Sequence, residues 1–305
     1  MEHIKNLLGL DAYSALLNEN IKTINKFIMA NPKSLQQITG ASAETVKEMF
    51  SIVSEEIIKG KFSSAYDIEP KVRISTGCEK LDKMLLGGIP TTGISELYGC
   101  SGVGKTQFCL QLSLQHQLLN ISRTEVVYIC SEDIFPSKRM KQLTNELGKK
   151  FKVDPNFEDH IFIKHIADFQ ELQKCLSVDL PKLLSITNVG LIIIDSIAGI
   201  FRSSNDNPDY VARSNDLMEI CTALTELQDQ YNCAIFMVNQ VTDNVVLETH
   251  EPCLGLSWAN NITHRFCLSR ISNNLERKFT VIFSPELSPI SSKILLTVKG
   301  LTDAQ

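Results

Sequence analysis

The chain has 305 residues, of which 43% are hydrophobic, so it can bury one core domain of roughly 200 residues or more and carry a smaller domain. Its net charge of −5 provides no overall positive field, so any contact with nucleic acid must be local. Nine cysteines include no C-x-x-C pair, which favours buried free thiols over a zinc site or a disulfide scaffold. With no signal-peptide pattern and no membrane-length apolar run, we expect a soluble intracellular protein.

The N-terminal region, residues 1–58, reads as a small helical domain. Val46, Met49, Phe50, Val53 and Ile57 follow helical spacing. Asn31-Pro32 and Gly40-Ala41-Ser42 divide the region into short helices. Residues 59–73 lose this period and contain Gly, Ser and Pro, so we interpret them as a linker to a core domain over residues 74–305.

Strands and helices alternate from Ile94 onward, which indicates an α/β fold with a mostly parallel sheet buried on both faces. The predicted strands are Ile94–Tyr98, Glu125–Ser131, Ile161–Lys164, Gly190–Asp195 and Cys233–Asn239. The predicted helices are Thr106–Leu119, Ser137–Lys149, Asp168–Leu184 and Arg213–Tyr231. Three later apolar stretches without intervening helices predict an antiparallel extension at the sheet edge: Arg265–Ser269, Lys278–Phe283 and Lys293–Val298.

The strongest motif is a complete phosphate-binding loop, G-x-x-x-x-G-K-T. It reads Gly99-Cys100-Ser101-Gly102-Val103-Gly104-Lys105-Thr106, between a predicted strand and a helix whose Phe108, Leu112 and Leu119 share one face. In such a loop the backbone N–H groups face phosphate oxygens, the lysine reaches the terminal phosphates and the threonine hydroxyl ligates Mg²⁺. The motif therefore predicts binding of a triphosphate with Mg²⁺.

Three polar residues follow apolar strands and are candidates for the same site. Asp195 ends the run Leu191–Ile194, where a P-loop fold places the carboxylate of the magnesium shell. Glu132 follows the strand Val126–Cys130 and could orient the water that attacks the γ-phosphate, or it could be a solvated loop acid. Gln240 could sense the γ-phosphate, or it could be ordinary polarity at a strand end.

From about residue 60 to the C-terminus, the chain resembles the RecA-type recombinase family in its eukaryotic and archaeal branch. The segments that carry the resemblance are Ser75–Asp82, Leu86–Pro90, the P-loop with Gln107, Asp195-Ser196 and Val238–Val241. Two further segments, Tyr128–Arg139 and Leu256–Asn260, resemble a recombinase paralogue, which is a recombination mediator and not the strand-exchange enzyme. The resemblance implies a RecA-like P-loop ATPase core.

The resemblance also implies roles for single residues. Glu132 matches the catalytic glutamate, with Lys105 at the phosphates, and Asp195 matches the aspartate of the magnesium shell. Gln240 matches the glutamine that couples nucleotide to DNA, and Arg139 matches an arginine that stacks on adenine, as a planar guanidinium can.

The linker contains Phe62-Ser63-Ser64-Ala65, which matches the Phe-x-x-Ala motif by which a family member inserts an aromatic ring into its neighbour. The motif alone is weak, but its place just before Ser75-Thr76-Gly77 favours Phe62 and Ala65 as interface residues. The alternative is that Phe62 packs inside its own chain.

Two segments should face DNA if the family pattern holds: Phe201–Ala212, with Arg213 at its end, and Val241–Leu254. The candidate cations are Arg202, Arg213 and Arg265. The second segment departs from the pattern, because it contains three acidic residues and no Lys or Arg. We therefore expect weaker DNA binding than that of a recombinase, since backbone contacts to DNA need cations.

A second departure concerns Phe283, which stands where active recombinases carry an aspartate that caps the neighbour's ATP. Two functions remain open. One is a self-sufficient DNA-dependent ATPase that forms strand-exchange filaments. The other, which the two departures favour, is a mediator subunit that pairs with another paralogue, assists the main recombinase on single-stranded or branched DNA, and hydrolyses ATP weakly at most. The resemblance implies repair of double-strand breaks by homologous recombination, in the nucleus and also the cytoplasm.

Overall fold

The computed structural model describes residues 2–19, 21, 24–58, 66, 72–119, 124–151, 156–201, 210–244, 249–271 and 275–304. Contacts divide the chain into two compact units, residues 1–70 and 71–305. Within the described residues, no helix is both long and apolar enough to cross a bilayer.

The first unit is helical where it is described. It contains helices α1 (Glu2–Asn18), α2 (Ile24–Met29), α3 (Pro32–Thr39) and α4 (Ala43–Ile58). Helix α3 begins where the sequence predicts, because the Asn31 side chain accepts a hydrogen bond from Lys33 N at 2.9 Å and Pro32 fits the first turn. It ends at Gly40, whose φ of +68° suits a residue without Cβ. The predicted α4 face is buried at Val46, Met49 and Val53, and it packs against apolar residues of the other helices.

The second unit is an α/β domain. Its helices are α5 (Glu79–Met84), α6 (Lys105–Leu119), α7 (Ser137–Phe151), α8 (Phe169–Lys174), α9 (Leu180–Ile186), α10 (Ile197–Ile200), α11 (Tyr210–Tyr231) and α12 (Gly255–Ala259). Its first seven strands are β1 (Arg73–Ile74), β2 (Ile89–Pro90), β3 (Ile94–Tyr98), β4 (Glu125–Cys130), β5 (Ile161–His165), β6 (Val189–Asp195) and β7 (Ala234–Asn239). The others are β8 (Val241–Asn244), β9 (Thr249–Pro252), β10 (His264–Arg270), β11 (Glu276–Phe283), β12 (Ser291–Thr297) and β13 (Gly300–Asp303).

Nine of the described strands form one sheet in the order β13-β12-β11-β10-β3-β7-β6-β4-β5. The strands from β10 to β5 are parallel, whereas β11, β12 and β13 continue the sheet as antiparallel neighbours. This confirms the mostly parallel sheet and the antiparallel C-terminal extension. The carboxyl ends of β3, β4, β6 and β7 therefore lie side by side, which is where an open parallel sheet places its ligands.

Two large apolar clusters cover the sheet. One contains residues of α6 and α7, and the other contains residues of α8, α9, α11 and α12. Strand β6 contributes Leu191 and Ile193 to the first cluster and Ile192 and Ile194 to the second, all fully buried. This explains the uninterrupted apolar run in its sequence.

The helix predicted over Thr106–Leu119 is confirmed as α6, whereas the helix predicted over Asp168–Leu184 is divided. Helix α6 has no solvent face along Phe108–Gln117, all of which is buried, because the helix lies between β6, β13 and α7. Residues 168–184 do not form one α-helix, since a π-helical turn over Cys175–Asp179 separates α8 from α9. Pro181 lies in the first turn of α9 and has no N–H to donate to the preceding turn, which accounts for the break.

Candidate nucleotide site

The P-loop connects β3 to α6 and curls around the side chain of Lys105. The Lys105 ammonium donates to the carbonyl oxygens of Gly99 (2.7 Å) and Cys100 (2.9 Å). Burial lowers the pKa of Lys105, while the carboxylates of Asp195 and Glu132 oppose that change. Gly104 has a φ of +112°, and a Cβ there would lie 2.9 Å from Leu296 Cδ2, so this position requires glycine.

Side chains of the C-terminal strands donate hydrogen bonds to the backbone of the P-loop. Arg277 on β11 is buried and donates to Val103 O at 2.7 Å, and Arg270 on β10 donates to Gly102 O at 3.0 Å. Leu268 O lies 2.2 Å from where a Cβ of Gly99 would stand. The P-loop conformation therefore depends on strands that come about 170 residues later in the chain.

Asp195 lies at the end of β6 beside Thr106 and Tyr128. The Tyr128 hydroxyl donates to Asp195 Oδ2 at 2.7 Å. Burial raises the pKa of Asp195, while hydrogen bonds from Tyr128 and Thr106 oppose the rise. The peptide bond between Asp195 and Ser196 is cis, and Ser196 N donates to Ser131 Oγ at 2.9 Å. An acceptor next to the P-loop threonine is the arrangement that a magnesium shell requires.

Glu132 and Gln240, which the sequence places on different strands, are in direct contact. Gln240 Nε2 donates to Glu132 Oε1 at 2.7 Å and Oε2 at 2.6 Å. Gly199 on α10 makes room for this contact, because a Cβ there would be 2.4 Å from Glu132 Cγ. A change in the position of either side chain must therefore affect the other.

These residues line one cavity of about 410 Å³. Its lining includes the P-loop residues Ser101, Gly102, Gly104, Lys105 and Thr106, together with Gln107, Glu132, Asp195, Gln240 and Leu296. The glycine curl, the cation at its base and the carboxylate beside Thr106 fit a triphosphate with Mg²⁺. Among the described residues, no cluster of three or more His, Cys, Asp or Glu could hold a metal ion.

Arg139, at the start of α7, is fixed at the side of this cavity by four acceptors. Its guanidinium donates to Gln107 Oε1 (2.6 Å), Val298 O (2.8 Å), Thr297 O (2.9 Å) and Gln142 Oε1 (3.3 Å). The contact with Gln107 connects it to the helix that follows the P-loop. Its role in stacking on adenine stays a prediction, but its orientation is set by groups next to the site.

Only parts of the two candidate DNA segments are described. Phe201 is buried at the start of the first, and the Arg213 guanidinium lies over its ring, 5.6 Å from the centroid. Arg202 lies outside the described residues. In the second segment, Val241–Asn244 and Thr249–Pro252 pair as the hairpin β8–β9, with Val241 opposite Pro252, and neither strand is predicted from the sequence.

The prediction that Arg265 contacts DNA does not fit its position in the structure. It is 6% exposed, and its Nε donates to Glu96 Oε2 at 2.5 Å inside the sheet. Its guanidinium stacks on Phe283, 5.3 Å from the ring centroid. A phosphate cannot reach the guanidinium in this conformation, so Arg265 is an internal ion-pair partner. Its place within a predicted strand of the sheet already favours this role.

The interface candidates Phe62 and Ala65 lie outside the described residues. Conversely, the motifs do not predict three residues that position Asp195 and Glu132, namely Tyr128, Ser131 and Gly199. Tyr128 offers a signal in retrospect, because a tyrosine in an otherwise apolar buried strand needs a partner for its hydroxyl.

Comparison with known proteins agrees with this geometry. The Rad51 family matches residues 69–304. DNA repair protein XRCC3 of Mus musculus is 32% identical over an alignment that covers 94% of this chain and 93% of that protein. The XRCC3 homolog of Arabidopsis thaliana is 30% identical over 76% of this chain and 93% of its own length. DNA repair protein rhp57 of Schizosaccharomyces pombe is 28% identical over 75% of this chain.

The match covers the α/β unit from its first residue to residue 304, and it includes the P-loop, Glu132, Asp195 and Gln240. The resemblance inferred from the motifs is thereby confirmed. The chain belongs to the Rad51 family of RecA-type recombinases and, within it, is an XRCC3-like recombinase paralogue.

Proposed function

We propose that this chain is an ATP-binding recombinase paralogue that serves in homologous recombination repair of DNA double-strand breaks. It acts as an assembly subunit: it pairs with another paralogue, assists the main recombinase, and binds single-stranded or branched DNA, including Holliday junctions and stalled replication forks. Its site of action is the nucleus, with the cytoplasm as a further location. The names of its relatives, which are DNA repair and recombination proteins, support this process.

The observation that carries the proposal is the cavity at the carboxyl ends of the parallel strands. It joins a complete P-loop, a carboxylate beside Thr106 and the Glu132–Gln240 contact. Bound Mg²⁺ would neutralise phosphate charge, held through Thr106 and, by way of water, Asp195. Lys105 would neutralise the terminal phosphates, and Glu132 would orient the attacking water.

Three observations favour an assembly subunit over a self-sufficient filament. The second DNA segment contains Asp243, Glu248 and Glu251 without a cation, and Arg265 is enclosed by Glu96 and Phe283. Phe283 also cannot supply the carboxylate that caps a neighbour's ATP in active recombinases. The intact Glu132–Gln240 contact favours the alternative, a DNA-dependent ATPase that forms strand-exchange filaments.

The test is the mass of the purified chain by light scattering, with and without Mg-ATP, single-stranded DNA and a co-expressed recombinase paralogue. We expect a defined one-to-one complex with the paralogue and no long polymers from the chain alone. Long polymers that need only ATP and DNA would overturn the assembly role and support the alternative.

Nucleotide binding is tested separately with Lys105→Ala. Loss of a cation that hydrogen-bonds the phosphates should weaken ATP binding roughly a hundredfold or more by calorimetry. Lys141→Ala removes an exposed lysine on α7 outside the cavity lining and is the matched control. Unchanged ATP affinity in Lys105→Ala would refute the assignment of the site.

A further inference from the structure

A buried carboxylate in the centre of the sheet lies behind the nucleotide site. Glu96 is fully buried in β3, between β10 and β7 and three residues before the P-loop. Taking a carboxylate out of water costs several kcal/mol unless charge and hydrogen bonds compensate. A carboxylate at this position therefore needs donors from its surroundings.

Three donors from three separate segments meet this carboxylate. Trp258 Nε1 on α12 and Asn239 Nδ2 at the end of β7 donate to Oε1 at 2.6 and 2.8 Å. Arg265 Nε on β10 donates to Oε2 at 2.5 Å and supplies the opposite charge. All three partners are buried. We call Glu96, Asn239, Trp258 and Arg265 the Glu96 cluster.

Asn239 connects this cluster to the nucleotide site. Its Oδ1 accepts from Gln240 N at 2.8 Å, and its Nδ2 also donates to Cys253 O at 2.8 Å. Cys253 N donates in turn to Gln240 O at 2.9 Å. The backbone of Gln240 is thus held on both sides, while its side chain reaches Glu132.

The same bonds fix the base of the hairpin β8–β9. Gln240 directly precedes β8, and Cys253 directly follows β9. Helix α12, which carries Trp258, comes next in the chain and is attached to the same carboxylate. Both ends of the hairpin are therefore hydrogen-bonded to Asn239, a member of the Glu96 cluster.

We propose that Glu96 is a positioning residue that sets Gln240 against Glu132 and transmits the state of the nucleotide site to the hairpin base. This rests on the proposed binding of ATP. Glu96→Gln keeps the shape but leaves one carbonyl oxygen for three donors and removes the counter-charge of Arg265, whose Nη2 is already buried without a partner among the described residues.

The experiment uses the full chain, with its co-expressed paralogue if that is needed for solubility, and measures hydrogen exchange at Gln240 and residues 249–254. In the wild type, we expect a non-hydrolysable ATP analogue with Mg²⁺ to slow this exchange. Glu96→Gln should bind the analogue with roughly unchanged affinity but lose most of that slowing, a coupling on the order of tenfold. Fluorescence of Trp258, the single tryptophan of the chain, gives an independent readout of the cluster.

Ser95→Ala is the matched control, because Ser95 is the adjacent buried residue of β3 and its Oγ has no hydrogen-bond partner among the described residues. It should behave as the wild type. An unchanged exchange response in Glu96→Gln would overturn the inference. If Glu96→Gln does not fold, Trp258→Phe replaces it, because this change removes one donor and keeps the ion pair. Trp258→Phe should lose part of the slowing of exchange that the ATP analogue causes. Slowing equal to that of the wild type would overturn the inference.

Failure of the wild type to bind the analogue would refute the proposed function instead. Hydrogen exchange of the two variants without nucleotide then tests the positioning role. The backbone amides of Gln240 and Cys253 should still exchange faster in Glu96→Gln than in Ser95→Ala. Equal rates in the two variants would overturn it.

Discussion

Cys100 combines exposure with a place in the P-loop. Six of the nine cysteines are buried. Burial raises the pKa of Cys78, Cys130 and Cys221 to about 12, which disfavours the reactive thiolate. Cys100 alone among the nine is fully at the surface, so it is the residue that a thiol reagent should reach first.

We expect a maleimide to label Cys100 before the other cysteines of the native chain, and Mg-ATP to protect it. At ATP ten times above Kd, labelling should slow about tenfold, because only the free site reacts. Mass spectrometry of tryptic peptides measures the rate at each cysteine. Lys105→Ala should abolish the protection, and equal labelling with and without ATP would place the nucleotide elsewhere.

Gly199 gives a second prediction at this scale. An alanine there would bring its Cβ to 2.4 Å from Glu132 Cγ, so the carboxylate must move away from Gln240. Gly199→Ala should keep ATP binding but lower any ATP hydrolysis by about a hundredfold, as the loss of a general base does. Glu132→Gln provides the reference value in the same assay. Hydrolysis at the wild-type rate in Gly199→Ala would show that the position of Glu132 does not matter.

The elements show which features a sequence can and cannot predict. The strands that carry the site were predicted within a residue or two, because buried parallel strands are continuous apolar runs ended by polar residues. The hairpin β8–β9 was not, since Val241–Asn244 and Thr249–Pro252 are short and polar. The partners of Glu96 could not be predicted either, because they lie 143 to 169 residues away in the chain.

Helix α6 allows a prediction of pH dependence. His116 on this helix is buried, and its Nε2 lies 2.6 Å from Thr124 Oγ1. Burial lowers the pKa of His116 to about 4. Between pH 6.5 and 4, the unfolded chain binds a proton at this histidine that the folded chain does not. The free energy of unfolding should therefore fall on acidification, by at most about 1.4 kcal/mol per pH unit from this residue.

Denaturant unfolding of the wild type and of His116→Gln, measured across this range, isolates the contribution. The variant should lose stability less steeply on acidification. Some dependence should remain, because burial also lowers the pKa of His264. Parallel curves for the two proteins would mean that His116 is protonated in the folded state.

At the scale of the whole molecule, the proposed association with a paralogue can be tested at Phe62. If Phe62 anchors the chain in a neighbouring paralogue, Phe62→Glu should abolish co-purification with the co-expressed paralogue while the circular dichroism spectrum is retained, since a carboxylate cannot enter an apolar pocket without a partner. Ser63→Glu adds the same charge one position later and should retain the complex. Co-purification of Phe62→Glu with every paralogue would exclude the anchor role.

The attachment of the P-loop to the last strands bears on shortened forms of this protein. A premature stop after β10 would leave every residue of the ATP motif in place, as well as Glu132, Asp195 and Gln240. It would remove Arg277, which holds Val103, and Leu296, which lies against Gly104. A frameshift late in the gene should therefore act as a null allele for nucleotide binding, although the motif it encodes is intact.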